Sequence, residues 1–414
     1  MKVFKFGGAS VRHANAIQKV AGIVGDYKEG KILIVVSAMG KTTNALERVL
    51  SDFKAGKDFQ VELSLLQSYH EDVMRDLFPS DHPVWKKVRE QFKAIPAKLT
   101  MTGSGDQLYD QVVSTGELLS SIIVSDFLQS KGFPMEWVDI RKYIETDATH
   151  REANVDWART EEKVGGLQEI LQEKIILTQG FIAGGSNGFT TTLGREGSDY
   201  SAAILASCLG ASSVTIWKDV PGVMNADPKR IKDAKVFEEL PFREAAEMTY
   251  YGATVIHPKT IKPLANKNIP LLVKNFDDPT LPGTIIHETT LDGLPPLIVF
   301  KENQCLVSCH VNDYTFINEE QLSFIFHALS ALDIKLNMMQ NSAISFSFCV
   351  DFREDKIIAL IDRLAKQFEV YYNTGLTLIT VKNYDSTSFE TYRRKTGVIL
   401  EQSSRSTLQI LVKN

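Results

Sequence analysis

Short apolar runs recur along the first two thirds of the chain: Lys31–Ser37 (KILIVVS), Lys174–Gly180 (KIILTQG), Ser213–Trp217 (SVTIW) and Pro270–Asn275. They are rich in β-branched residues and continuous rather than alternating, as expected of strands buried on both faces. Helical periodicity separates them. The chain therefore predicts an α/β domain, a mainly parallel open sheet with helices on both faces. From about Leu46 to Lys98 the pattern is helical and charged, which predicts a helical subdomain covering one side of a site. In open α/β sheets ligands sit beyond the carboxyl ends of the strands, so the segments that follow each run are the place to look for chemistry.

A second pattern begins after Leu291–Pro296 (LDGLPP), where turn residues and two prolines interrupt both periodicities. Beyond it the sequence predicts strand Cys305–Val311, helix Glu319–Leu332, strand Ser345–Val350, helix Lys356–Gln367, and strands Val370–Tyr372 and Leu376–Lys382. With the polar strand LNMMQNSAIS included, the order is βαββαβ. Leu376–Val381 and Thr407–Val412 read as strands of a further, shortened unit that stops where a final helix and strand would follow. The expected division is 1–293 and 297–414, the latter with one unit at about 300–382 and a shortened one at about 375–414.

Length and charge narrow the class. A chain of 414 residues has room for two or three domains with their own cores. A formal net charge of -5 with acids and bases interleaved offers no basic patch for nucleic acid. No apolar stretch reaches the roughly 18 residues of a membrane span, and the N-terminus reads as a strand rather than a signal peptide. The four cysteines, Cys208, Cys305, Cys309 and Cys349, lack the paired spacing of a zinc site or disulfide framework. They read as small buried hydrophobes, in keeping with a reducing cytoplasm.

The chemistry concentrates in two runs. GFTTTLGREGSDYSAA (Gly188–Ala203) is dense in glycine and threonine, then carries Arg195 and Asp199 into an abrupt helix. Unpaired amides and the positive end of a helix dipole suit an anionic ligand. KVFKFGGASV at the N-terminus is a short strand bearing Lys5 that ends in Gly7, Gly8 and Ser10. Glycines admit close backbone approach, and a lysine beside them offers compact charge to phosphate. Neither run is a Walker A loop or a dinucleotide fingerprint, and each alone would fit a tight strand-to-helix turn.

Taken with VVSAMGKTTN, STGELLS, TQGFIA, WKDVPGVMNADPK and YGATVIHPKT, in this order across Lys2 to Leu264, the runs resemble the amino acid kinase family and within it the aspartokinases. The resemblance implies a three-layer αβα sandwich followed by α+β ACT units. It implies ATP and L-aspartate as substrates, 4-phospho-L-aspartate as product, and Mg²⁺ brought with the nucleotide. Phosphorylating a carboxylate needs no general base; the obstacle is anion repulsion, met by cations, amides and in-line positioning. By resemblance, Lys5 with the amides of Gly7 and Gly8, and Ser10, serve the transferring phosphoryl group, while Asp199 holds catalytic lysines or caps the helix. Glu117 and Arg195 match the residues that grip the substrate's ammonium and carboxylate, and a guanidinium fork suits the latter. Ser37, Thr43, Phe181 and Ser198 complete the aspartate pocket. Taken alone, Ser37 and Thr43 would be read as helix caps and Phe181 as core. Nucleotide contacts are expected from Trp217 to Lys229, including Lys218, Asp219, Met224, Asp227 and Lys229.

The chain departs from the family pattern in that loop: Lys218 stands where threonine is usual, Met224 where an aromatic is usual, and Lys229 where arginine is usual. Ala9 replaces the threonine of KFGGTS, and Thr254 replaces the lysine of GAKVLHP that reaches the phosphates. A relocated cation is the favoured explanation, with Lys218 and Lys259 as candidates. An amino-acid effector is expected at the ACT region, and a homodimer through ACT units. The loop Asn312–Glu320 lacks glycine, and Asn337 and Ala343 stand where lysine-sensitive members commonly carry acids. A lysine ammonium would be poorly compensated there, so weak or absent lysine inhibition is expected. The alternatives are a catalytically impaired amino-acid sensor of the same fold, or a kinase for another acid such as glutamate.

Overall fold

The computed structural model describes residues 1–27, 30–253, 256–291, 293–312 and 315–413. Thr254, and Asp313 and Tyr314 of the Asn312–Glu320 loop, lie outside the described residues.

Up to residue 290 the strands are β1 (Lys2–Phe6), β2 (Ile32–Val36), β3 (Met135–Val138), β4 (Glu145–Thr146), β5 (Ile175–Gln179), β6 (Ile182–Gly185), β7 (Thr190–Thr192), β8 (Ser213–Lys218), β9 (Glu239–Pro241), β10 (Leu271–Asn275) and β11 (Thr284–His287). Eight of them form one sheet in the order β3-β5-β2-β1-β8-β10-β11-β9, parallel throughout except at β10–β11. The remaining three, β4-β6-β7, make a small separate sheet. The helices are α1 (Ala14–Gly25), α2 (Thr42–Lys54), α3 (Gln60–Leu77), α4 (Val84–Leu99), α5 (Gly105–Val113), α6 (Thr115–Ser130), α7 (Trp157–Gly165), α8 (Leu167–Glu173), α9 (Gly197–Leu209), α10 (Phe242–Tyr251) and α11 (Pro258–Asn266). The charged stretch from Leu46 to Lys98 is helical, as its pattern predicts.

Strand alternation decides which side chains reach the site. Phe4 and Phe6 of β1 enter a core with Ile17 and Val20 of α1 and Ile123 and Phe127 of α6. Lys5, between them, must point to the opposite face, where Asp199 of α9 meets it. Parallel pairing also brings the carboxyl ends of β1, β2, β5 and β8 to one edge, so Gly7–Gly8, Ser37, Gly180–Phe181 and Lys218 converge there. Gly8 is required sterically: a Cβ would lie 2.7 Å from the Ala38 carbonyl oxygen.

By contacts the described residues form two compact units, 1–223 with 236–246 and 254–290, and 224–235 with 247–253 and 291–414. One cut near residue 293 therefore does not separate them. Residues 224–235 join the second unit because the Ile298 amide donates to the Asn225 carbonyl (2.8 Å) and Asn225 Nδ2 donates to the Pro296 carbonyl (3.0 Å).

The second unit is built on β12 (Leu297–Val311), β13 (Leu336–Asn341), β14 (Ser345–Asp351), β15 (Phe368–Lys382), β16 (Val398–Ser403) and β17 (Thr407–Lys413), with α12 (Glu319–Ala331), α13 (Glu354–Leu364) and α14 (Ser386–Arg393). The expected βαββαβ order is present, but in one antiparallel sheet, β13-β14-β12-β15-β17-β16, shared with the closing segment. Two details differ from the sequence reading. The strands expected at Val370–Tyr372 and Leu376–Lys382 are one strand, β15, and β12 begins at Leu297 rather than Cys305. Between β15 and β17 the structure adds α14 and β16, two elements the sequence reading did not mark. Cys305, Cys309 and Cys349 are buried as expected, whereas Cys208 is only partly buried, and all four are free thiols. No helix among the described residues is long and apolar enough to cross a membrane.

Candidate active site

At the converging strand ends a cleft of about 520 Å³ gathers ten of the residues singled out from sequence: Lys5, Gly8, Ser37, Thr43, Glu117, Phe181, Arg195, Ser198, Asp199 and Lys218. Its volume falls in the range of small-molecule sites.

Charge organises it. Asp199, in the first turn of α9 and 1% exposed, lies between two ammonium groups: Lys5 Nζ at 2.6 Å from Oδ1 and Lys218 Nζ at 3.2 Å from Oδ2. Burial pulls its pKa upward, but the two lysines outweigh burial and hold Asp199 below the ordinary carboxylate value. One buried carboxylate thus fixes two cations, and the trio itself is one positive charge in excess. Of the two candidates for the relocated cation, Lys218 lines the cleft and Lys259 does not; Lys259 sits at the start of α11, its amide on His257 Nδ1.

Glu117 enters from the first turn of α6, 3% exposed. Its Oε1 accepts from the Ala38 amide at 3.3 Å, while Oε2 is buried with no hydrogen-bond partner among the described residues. Burial pushes its pKa up to about 8, with the Ala38 amide pulling weakly the other way. A buried carboxylate short of a partner costs about 1–3 kcal/mol, more if ionised, unless a ligand supplies the donor. Behind Glu117, Ser120 Oγ donates to the Ser37 carbonyl (2.7 Å), tying α6 to the end of β2.

The cleft is also where backbone strain collects. Arg151 (φ 69°), Phe181 (φ 68°) and Glu196 (φ 53°) are non-glycine residues in the left-handed region, and all three line it. Such conformations cost about 1–3 kcal/mol each and persist only where surrounding contacts impose them. For Phe181 these are its amide on Ser201 Oγ (2.9 Å) and its carbonyl on the Leu193 amide (2.9 Å). A Cβ at Gly197 would strike the Phe181 ring at 2.8 Å, so α9 must begin with glycine here.

Other expected residues are elsewhere. Gly7 stands beside Lys5 but does not line the cleft, although a Cβ there would lie 3.5 Å from Lys5 Nζ. Ser10 and Asp219 border a separate small pocket with Arg12, His13 and Lys19. Met224, Asp227 and Lys229 belong to the second compact unit, and Trp217 is 1% exposed, its ring stacked near Phe6. Trp217 is therefore core rather than a nucleotide contact. Sequence reasoning missed Tyr109, Arg151, Glu152 and Glu196, which also line the cleft. Glu196 sits inside the GREGSD run and was within reach; Arg151 and Glu152 lie in THREAN, which carries no motif. Glu196 Oε2 is buried without a hydrogen-bond partner among the described residues. Burial raises its pKa, against the pull of Lys218.

Residues 1–275 match the amino acid kinase family. The lysine-sensitive aspartokinase 3 of Escherichia coli K12 is 33% identical over 362 residues, covering 84% of this chain and 78% of the relative. This chain belongs to the aspartokinases. The bifunctional aspartokinase/homoserine dehydrogenase of Buchnera aphidicola is 29% identical over 91% of the chain, which spans 47% of that longer relative. Among solved structures, that of E. coli aspartokinase III with aspartate and ADP superposes with a TM-score of 0.86 at 29% identity, over 100% of this chain and 96% of that one. The match thus extends through the antiparallel C-terminal sheet, beyond the residues that the kinase family itself covers.

Proposed function

We propose that this aspartokinase transfers the γ-phosphoryl group of MgATP to the side-chain carboxylate of L-aspartate, with Lys5 and Lys218 as the phosphate cations. The observation that carries the reading is the Lys5–Asp199–Lys218 cluster, facing Glu117 and Arg195 across one cleft. The acceptor oxygen is already anionic at neutral pH, so the chain's task is to neutralise and align rather than to remove a proton. Arg195 takes the substrate's α-carboxylate and Glu117, its Oε2 open, takes the α-ammonium; Ser37, Thr43, Phe181 and Ser198 shape the space between. Lys218 supplies the charge that Thr254 lacks. Gly7, Gly8 and Ser10 serve the phosphates, and Asp219 is assigned to the nucleotide.

Mg²⁺ is assigned to the bound nucleotide, and the residues present fit it: Glu196 Oε2 is a buried carboxylate oxygen in the cleft without a hydrogen-bond partner among the described residues. When bound, the ion would neutralise phosphate charge. The C-terminal sheet is assigned an amino-acid effector and pairing of two copies. The solved relative with aspartate and lysine, at 28% identity and a TM-score of 0.82, supports an amino-acid effector as a class.

Trapping the acyl phosphate with hydroxylamine tests the acceptor. Hydroxamate should form with L-aspartate and not with L-glutamate; formation with glutamate at equal kcat/KM would overturn the assignment.

A further inference from the structure

Arg151 is the strained residue of the cleft that the proposed mechanism leaves unused. Its segment is fixed from below by Asp110 of α5, which is 0% exposed. The Asp110 carboxylate accepts from the Arg151 amide at 3.0 Å, from His150 Nδ1 at 2.8 Å and from Thr192 Oγ1 at 2.7 Å. On the other side the Ala153 amide donates to the Thr192 carbonyl (2.9 Å), laying the segment along β7. It runs close under the loop that carries Arg195: a Cβ at Gly194 would lie 2.9 Å from Glu152 Cγ. A fully buried carboxylate is thus committed to holding one residue at φ 69°.

Glycine would adopt that backbone without strain, so the fold alone does not call for arginine. Nor do the fold contacts of the side chain account for it. Arg151 Nη1 reaches Asp106 at 3.4 Å, a pair more than half exposed on both sides, and exposed pairs contribute little. What the side chain has is a platform: its guanidinium lies 4.0 Å over the Tyr109 ring, and Tyr109 Oη is itself held by Glu47 Oε1 at 2.8 Å. Arg151 and Tyr109 line the same cleft as Arg195 and Glu117. A guanidinium stacked on an anchored ring is pre-ordered for a planar anion.

We propose that Arg151 is a second carboxylate-reading guanidinium of the acceptor pocket, selecting a dicarboxylic amino acid, and that Asp110 is its positioning residue. This rests on the proposed acceptor site. Two anionic ends on one small substrate call for two fixed cations, and Arg151 is the further pre-ordered one beside Arg195.

The test compares wild type with Arg151→Gly, which keeps the backbone without strain, and Arg151→Lys, by calorimetry of L-aspartate binding, steady-state kinetics and melting temperature. Arg151→Gly should weaken aspartate binding at least tenfold and raise its KM in step, with kcat within about threefold, the KM for ATP within twofold, and the melting temperature at or above that of wild type. Arg151→Lys should fall between. Asp110→Asn should reproduce the KM shift, and combining it with Arg151→Gly should add nothing further. Aspartate affinity within twofold of wild type in Arg151→Gly would overturn the inference, as would a lowered melting temperature with both substrates weakened alike. If wild type binds aspartate but does not phosphorylate it, the functional reading fails, and the calorimetric arm still decides the role of Arg151.

Discussion

Each compact unit gathers charged and amide side chains into a cluster, and the two clusters are completed differently. On the C-terminal sheet, Lys301 Nζ lies 2.9 Å from Asp351 Oδ1 and donates to Asn337 Oδ1 at 2.7 Å. Asn337 Nδ2 donates to Gln304 Oε1 (2.7 Å) and Asp351 Oδ1 (2.9 Å), and Gln304 Nε2 donates to Asp351 Oδ1 (2.9 Å). Every member finds its partner inside the cluster. In the cleft of the first unit, Glu117 and Glu196 each keep a buried oxygen without a hydrogen-bond partner among the described residues, and three residues are held in strained backbone. A group closed on itself stabilises a sheet; one that is buried, charged and short of donors has its missing partners in a ligand.

The contrast predicts unequal responses to mutation. Lys218→Met should have the largest effect of the variants aimed at this contrast, lowering kcat/KM for ATP by about 10²–10³-fold, since it removes a positioned phosphate cation from a low-dielectric site. Initial rates at varied ATP would show it, and a loss under threefold would mean that another cation compensates for Thr254. Glu117→Gln should come next, raising the KM for aspartate about tenfold or more with a smaller change in kcat.

That variant also carries a pH signature. Glu117 in the folded chain keeps its proton to about pH 8, against an ordinary value of 4.5 in the unfolded chain. Between those values the folded state binds more protons, so this group's contribution to stability is present below about 4.5 and lost as pH rises through about 8. Wild type and Glu117→Gln should therefore melt alike near pH 4.5, with the glutamine variant gaining the advantage as pH approaches 8. The KM of wild type for aspartate should fall over the same window, because the anion is what grips an ammonium. A pH-independent gap between the two melting curves would contradict this.

Lys301→Met and Asp351→Asn should have the smallest effect: kcat within twofold and a melting temperature lower by a few degrees, in line with a partly exposed pair of about 1 kcal/mol or less. Because Asn337 already spends its hydrogen bonds on Lys301, Gln304 and Asp351, a lysine titration of the enzyme should give no half-inhibition in the micromolar range.

Much of this is legible in the sequence alone. Continuous β-branched runs place β2, β5, β8 and β10 because strands covered on both faces tolerate nothing else. Lys5, Glu117, Arg195 and Asp199 were legible because each sits in a motif at a strand end or helix start. The long strands β12 and β15 were not, since polar positions interrupt their alternation. Asn303 (φ 55°) and Gly375 (φ 69°) look like turn residues, yet they lie at irregularities near facing positions, where Gln304 pairs with Leu376 and both strands run on. Helix α14 fully buries no side chain and turns only the half-buried Phe389 and Tyr392 inward, too few to mark a periodicity. Arg151 was invisible for a third reason: its place depends on Asp110, distant in sequence and hidden beneath it.

The work assigned to the open charges of the cleft is phosphoryl transfer to aspartate. Aspartate-dependent ADP release from MgATP, measured for wild type and Lys5→Met alongside aspartate binding, tests it most directly. Wild type should turn over, and Lys5→Met should fall by at least about 10²-fold with aspartate still bound. Binding of both substrates by wild type without aspartate-dependent ADP release would contradict that assignment, and would make the chain an amino-acid sensor built on a kinase fold.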